Sequence, residues 1–171
     1  MYMMHEKRPL VSVVSPLPRL LEQVKDAAVA LDSFGIKSEA RIVAAHRSPH
    51  KTIRFVAECH ARGIEVIIAT GEGSAHLPGM IASLTTIPVI GVPLKGDASP
   101  GGMDSFLSMA QMPRGVPVGT MGINAAYNAG IFACQILALK YPELQEKLKR
   151  YKEMMEEQVE SEDAKQSKVI N

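Results

Sequence analysis

The sequence predicts a single α/β domain, a parallel sheet held between two layers of helices. Three observations carry this reading. Short β-branched runs alternate with longer stretches whose apolar residues recur at helical spacing, the pattern of β-α units joined in series. The run at 65–69 is almost continuously apolar, as a strand covered on both faces must be. The chain has 171 residues, 46% hydrophobic and 22% charged, which suffices for one core without disulfide staples.

The elements follow in order. Residues 10–14 form a first strand. Residues 19–34 form a helix with Leu20, Val24, Ala27, Ala28 and Leu31 on one face, and Gly35 stands at its C-terminal cap. Residues 40–44 are a second strand. The helix at 49–62 is opened by Ser48 as cap and Pro49 at its first position, and closed by Gly63. A third strand at 65–69 precedes a short helix at 75–84. The fourth strand is 88–92, followed by a helix at 104–111 and a fifth strand at 116–120. An Ala-rich helix covers 124–139. A last helix runs over 142–159 with Leu144, Leu148 and Tyr151 at helical spacing, a stripe expected to dock on a neighbouring subunit. Residues 153–163 hold six acids and no base, so the chain beyond about 159 is expected to be solvated and mobile. The domain is thus drawn over 1–160, with a mobile tail at 161–171. No repeat or internal linker interrupts it.

Composition excludes several function classes. Nineteen Lys and Arg against eighteen Asp and Glu leave a formal net charge of +1, which is no electrostatic footprint for nucleic acid. No apolar run reaches the roughly 18 residues that span a bilayer. Residues 1–9 are polar, without the core of a signal peptide. A cytoplasmic protein that binds neither nucleic acid nor membrane is expected. Cys59 and Cys134 have no metal-type spacing, so they are read as small apolar fillers.

In open parallel sheets, ligands bind beyond the carboxyl ends of the strands. The segments to examine are therefore 15–19, 45–49, 70–76, 93–104 and 121–128. After the second strand stands Ala45-His46-Arg47-Ser48-Pro49. His46 can exchange a proton near neutral pH, and Arg47 can hold a carboxylate or phosphate bidentately. After the third strand stands Thr70-Gly71-Glu72-Gly73-Ser74-Ala75-His76-Leu77-Pro78-Gly79. Its glycines let backbone N–H groups approach a ligand, and His76 adds a second imidazole at the same edge. The spacing is not that of a P-loop. The segment 93–104 has the composition of a ligand loop.

Four stretches resemble the PurE family: Val43-Ala44-Ala45-His46-Arg47-Ser48-Pro49, Gly73-Ser74-Ala75-His76-Leu77-Pro78-Gly79-Met80, Pro88-Val89-Ile90-Gly91-Val92-Pro93, and Gln111-Met112-Pro113-Arg114-Gly115-Val116-Pro117-Val118-Gly119-Thr120. The resemblance runs collinearly over about 9–139. It implies a flavodoxin-like three-layer α/β/α sandwich assembled into a homo-octamer. It also implies transfer of a carboxylate between N5-carboxyaminoimidazole ribonucleotide and 4-carboxyaminoimidazole ribonucleotide in purine synthesis, by way of CO2 and without metal or organic cofactor. By the same resemblance His46 is the general acid/base and His76 a second catalytic histidine. Arg47 is a phosphate ligand. Gly71, Gly73 and Ser74 form the loop around base and carboxylate, with Ala45 and Leu77 also lining the pocket.

The sequence departs from the family in the first loop. Where the family has Gly-Ser-x-Ser-Asp, holding phosphate and ribose, this chain has Pro16, Leu17, Pro18, Arg19 and Leu20. Pro16 and Pro18 have no N–H to donate. Ala44 replaces a small hydroxyl residue, and Glu72 stands in a loop that is normally small and neutral. Losing a donor to a charged oxygen costs roughly 1.5–3 kcal/mol per bond. Arg19 offers a replacement phosphate ligand, and a local shift in the alignment brings Ser15 to the same role. Three readings stay open: a PurE-type mutase, a paralogue doing carboxylation or decarboxylation on another substrate with an apolar floor from Leu17 and Leu20, and a non-catalytic oligomeric binding or structural protein.

Overall fold

The structure, a computed structural model, describes residues 9–97 and 99–166. In chain order its elements are β1 (Val11–Ser15), α1 (Pro18–Gln23), α2 (Lys25–Ser33), β2 (Ser38–Ile42), α3 (Pro49–Arg62), β3 (Val66–Gly71), α4 (Leu77–Ala82), β4 (Val89–Pro93), α5 (Met103–Ala110), β5 (Gly119–Thr120), α6 (Ala126–Ala138) and α7 (Pro142–Gln166). All strand pairs are parallel, in the order β2-β1-β3-β4-β5. This is the flavodoxin-like order, which reverses direction between β1 and β3 and opens a crevice at that point.

Side-chain alternation along the strands builds the two cores. Val11 and Val13, Val66 and Ile68, and Ile90 and Val92 face a cluster formed with α1, α2, α6 and α7. Val14, Ile67, Ala69 and Val89 face the opposite cluster, made with α3 and α4 through Phe55, Val56, Cys59, Leu77 and Ile81. β1, β3 and β4 are buried along their whole length. Edge strand β2 carries Glu39 and Arg41, charges that discourage strand addition.

The helix ends obey local chemistry. Gly35 sits at φ +76°. Its N–H donates to Asp32 O at 2.8 Å, and that of Ile36 to Leu31 O at 3.0 Å, closing α2 as a left-handed cap. Gly63 closes α3 in the same conformation. The Ser48 side chain makes no cap hydrogen bond; its carbonyl instead accepts from the Thr52 hydroxyl at 3.2 Å, while Pro49 occupies the first turn as expected.

Five sequence expectations are corrected. The helix expected over 19–34 divides at Val24, where ψ turns to +12°, and no Gly or Pro marks that break. The second strand lies two residues earlier than expected, because its ladder ends where Ser15 pairs Ile42. The fifth strand shrinks to two residues, since Pro117 has no N–H for the ladder. The last helix runs on past 159 to Gln166, exposed to its end; residues 167–171 of the expected tail lie outside the described residues. The stripe of that helix also finds its partner within the chain. Leu144 is fully buried, with Leu148 and Tyr151 packed on the same core. Tyr151 meets Phe34 edge-on at 5.5 Å, and Lys147 Nζ donates to Phe34 O at 2.6 Å.

Candidate active site

The ends of β1, β2 and β3 enclose a cleft of about 380 Å³, lined by residues 16, 17 and 20, by 44–47 and by 71–77. It lies at the β1/β3 reversal, where the topology places a ligand crevice. Of the segments singled out in the sequence, those after β1, β2 and β3 line this cleft.

On the β2 side, a turn closed by the Ser48 N–H on Ala44 O at 2.8 Å projects His46 and Arg47 from the sheet. Both are exposed, while Ala45 beneath them is buried. Arg47 Nη2 donates to Pro16 O at 2.8 Å. Pro16 cannot donate, but its carbonyl holds this guanidinium against the cleft.

On the β3 side the loop curls tightly. Gly73 has φ +59° and Ala75 φ +40°. The Ala75 value is left-handed for a residue with a Cβ, a strained conformation of a kind concentrated at functional sites. Gly71 is needed beneath it: a Cβ there would stand 3.0 Å from Ala75 Cα. The curl presents His76 to His46, with Nδ1 of one 3.2 Å from Nε2 of the other and ring centroids 5.0 Å apart. At that distance one nitrogen carries the proton and the other accepts it. Two imidazoles so placed are close enough to share a proton.

Glu72 and Arg19 pair across the cleft edge. Arg19 Nη1 donates to Glu72 Oε2 at 3.0 Å and Nη2 to Oε1, a bidentate arrangement. The bond to Glu72 raises the Arg19 pKa above its usual value. The Glu72 carboxylate is seated directly against Gly96, so closely that a Cβ there would overlap Oε2. Sequence reasoning left Glu72 without a role, because a contact across 53 positions has no periodic signal.

Two expected site residues stand off the cleft. Ser15 is fully buried; its hydroxyl donates to Leu17 O at 2.8 Å and accepts the Leu17 N–H at 3.3 Å, so it is committed to the turn. Arg19 reaches the cleft only through Glu72. Leu17 and Leu20 do line the wall, but Leu20 is fully buried in the core and Leu17 packs against that core. The segments after β4 and β5 supply no lining residue. They are tied to each other by the Lys95 N–H on Asn124 Oδ1 at 3.0 Å. Among the described residues no three His, Cys, Asp or Glu side chains gather as a metal-binding set. No helix among them is long and apolar enough to cross a membrane.

The AIR carboxylase family model matches residues 11–158. The N5-carboxyaminoimidazole ribonucleotide mutase of Pyrococcus horikoshii is 48% identical over 157 residues, 92% of this chain and 88% of that one. The protein of the same name from Thermotoga maritima is 50% identical over 151 residues, 88% of each chain. The crystal structure of Treponema denticola PurE superposes with a TM-score of 0.84 at 23% identity, covering 94% of this chain and all (100%) of that chain; it establishes likeness of fold.

Proposed function

The chain belongs to the AIR carboxylase family, and from that premise we propose that it is an N5-carboxyaminoimidazole ribonucleotide mutase of purine biosynthesis. The reaction is a carboxylate migration that needs two proton transfers, one onto nitrogen and one off carbon. Protonated His46 gives its proton to the exocyclic nitrogen as the N–C bond breaks and CO2 leaves. The ring carbon then attacks the trapped CO2. The proton left on that carbon returns to His46, so the imidazole ends as it began. A group that must both give and take a proton near neutral pH is best supplied by histidine. His76 steadies the His46 ring through the contact between Nδ1 and Nε2. With substrate filling the cleft, the walls made by Leu17, Leu20 and Leu77 help to exclude water and to keep CO2 from escaping.

The observation that carries this reading is the 3.2 Å contact between His46 and His76 in the cleft. An ultraviolet assay of the purified protein with each carboxylated isomer, beside His46→Asn, tests it. Conversion that disappears in the variant supports the mutase, and folded wild-type protein that converts neither isomer refutes it. The reading includes a cytoplasmic homo-octamer, by family likeness. It draws support from Met154, Met155 and Val159, which remain 66%, 45% and 64% exposed on α7. A second reading, the same carboxyl chemistry on a substrate without ribose phosphate, is favoured by one observation: Ser15, Pro16 and Pro18 offer the cleft no free donor side chain or N–H.

A further inference from the structure

A ribonucleotide brings two features to this cleft, a phosphate dianion and a vicinal diol. The β1–α1 turn is poor in donors for either. The Ser15 hydroxyl and the Leu17 N–H satisfy each other, and the two prolines donate nothing. Among the described residues, Glu72 is the one carboxylate lining the cleft. Its side chain is 11% exposed and that of Arg19 49%. A carboxylate can accept both hydroxyls of a diol, and a guanidinium fork matches phosphate oxygens. In the free protein the two groups satisfy each other across the cleft edge, and Gly96 leaves the space in which Glu72 is seated.

We propose that Arg19 and Glu72 are the specificity-determining pair for the ribose phosphate: on binding, the phosphate takes the Arg19 guanidinium from Glu72, and Glu72 turns to accept the ribose hydroxyls. This rests on the ribonucleotide reading above. It gives the anomalous Glu72 a role, and it supplies from two different strand ends the phosphate donor and the ribose acceptor that Pro16, Leu17 and Pro18 do not offer. The ion pair then acts as a placeholder, keeping both groups oriented until the ligand exchanges one bidentate contact for two.

The test is equilibrium binding by titration calorimetry in bicarbonate-free buffer. The probe is 5-aminoimidazole ribonucleotide, which carries no carboxylate to migrate, beside its 2′-deoxyribonucleotide and its dephosphorylated ribonucleoside. Wild type should bind the 2′-deoxy compound about tenfold more weakly, and the nucleoside about a hundredfold more weakly. Glu72→Gln should bind ribo and 2′-deoxy forms within about twofold of each other. Arg19→Met should lose part of its discrimination for phosphate, since Arg47 still lines the cleft. The double reversal Arg19→Glu with Glu72→Arg keeps an ion pair, so a purely structural latch predicts wild-type binding and the proposal predicts its loss.

Glu72→Gln with wild-type sugar discrimination, or Arg19→Met with wild-type phosphate discrimination, overturns the proposal. A wild type that binds none of the three probes overturns it together with the ribonucleotide reading. Binding with the expected discrimination, but without conversion of the carboxylated isomers, supports the recognition pair and refutes only the reaction.

Discussion

His46 Nε2 lies 3.2 Å from His76 Nδ1, although the two residues are 30 positions apart and follow different strands. The contact exists because β1 lies between β2 and β3 in the sheet, so the turns after those two strands converge over its end. Neither ring is buried, and neither anchors the core. His46→Asn should therefore lower kcat by about 10²–10⁴-fold, the usual contribution of a positioned general acid/base. KM and the melting temperature should change little. Steady-state kinetics beside thermal unfolding check this. A variant that loses stability in proportion to activity contradicts the assignment.

The left-handed backbone at Ala75 makes a second prediction. Its φ of +40° is tolerable for a small side chain and poor for a β-branched one. Ala75→Val should cost about 1–3 kcal/mol of stability. It should also reduce activity, because the same curl aims His76. Ala75→Gly should keep both. Urea unfolding and kinetics on the pair decide it, and equal behaviour of Val and Gly removes the argument.

The legible part of this molecule was what local pattern and strand order determine. Helix α3 begins and ends where Pro49 and Gly63 place it, because a fixed φ and a free positive φ are backbone properties of those residues. The strand-end segments led to His46, Arg47 and His76 by topology alone. What escaped were features made by distant side chains or by competition. The Arg19–Glu72 pair joins residues 53 positions apart. Ser15 was available on paper as a phosphate ligand, but its own turn took the hydroxyl. The stripe on α7 was amphipathic as read, yet periodicity states that a face is buried and not against which chain. Here the chain's own Phe34 and α2 cover it.

Close helix packing supplies the third prediction. A Cβ on Gly130 of α6 would stand 2.6 Å from Ala27 O and 2.7 Å from Ala30 Cβ on α2. Alanine raises helix propensity by about 1 kcal/mol over glycine, but overpacking a well-filled contact costs about 1–3 kcal/mol. Because one of the obstructing atoms is backbone, the penalty should win. Gly130→Ala should lower stability by up to about 2 kcal/mol, read as a lower urea midpoint with unchanged slope. A midpoint at or above that of wild type refutes it.

The last prediction concerns alkaline pH and the tie between the α6–α7 connection and the start of β3. Glu65 Oε1 accepts from Lys140 Nζ at 2.7 Å and from Tyr141 Oη at 2.6 Å. The hydrogen bond to Glu65 is the main cause holding the Lys140 pKa above its ordinary 10.5. Burial first, and then the bond to Glu65, raise that of Tyr141 above its ordinary 10.0. The folded chain thus holds both protons more tightly than the unfolded chain does. Stability from these groups is complete below the unfolded values and is lost as pH climbs through the folded ones. The melting temperature should accordingly decline above about pH 10. Glu65→Gln removes the leading cause at Lys140 and the second at Tyr141 but leaves the burial of Tyr141. The variant should therefore start lower and fall less steeply. Melting curves between about pH 9 and pH 11 measure both slopes, and parallel slopes would show that Glu65 does not hold these protons.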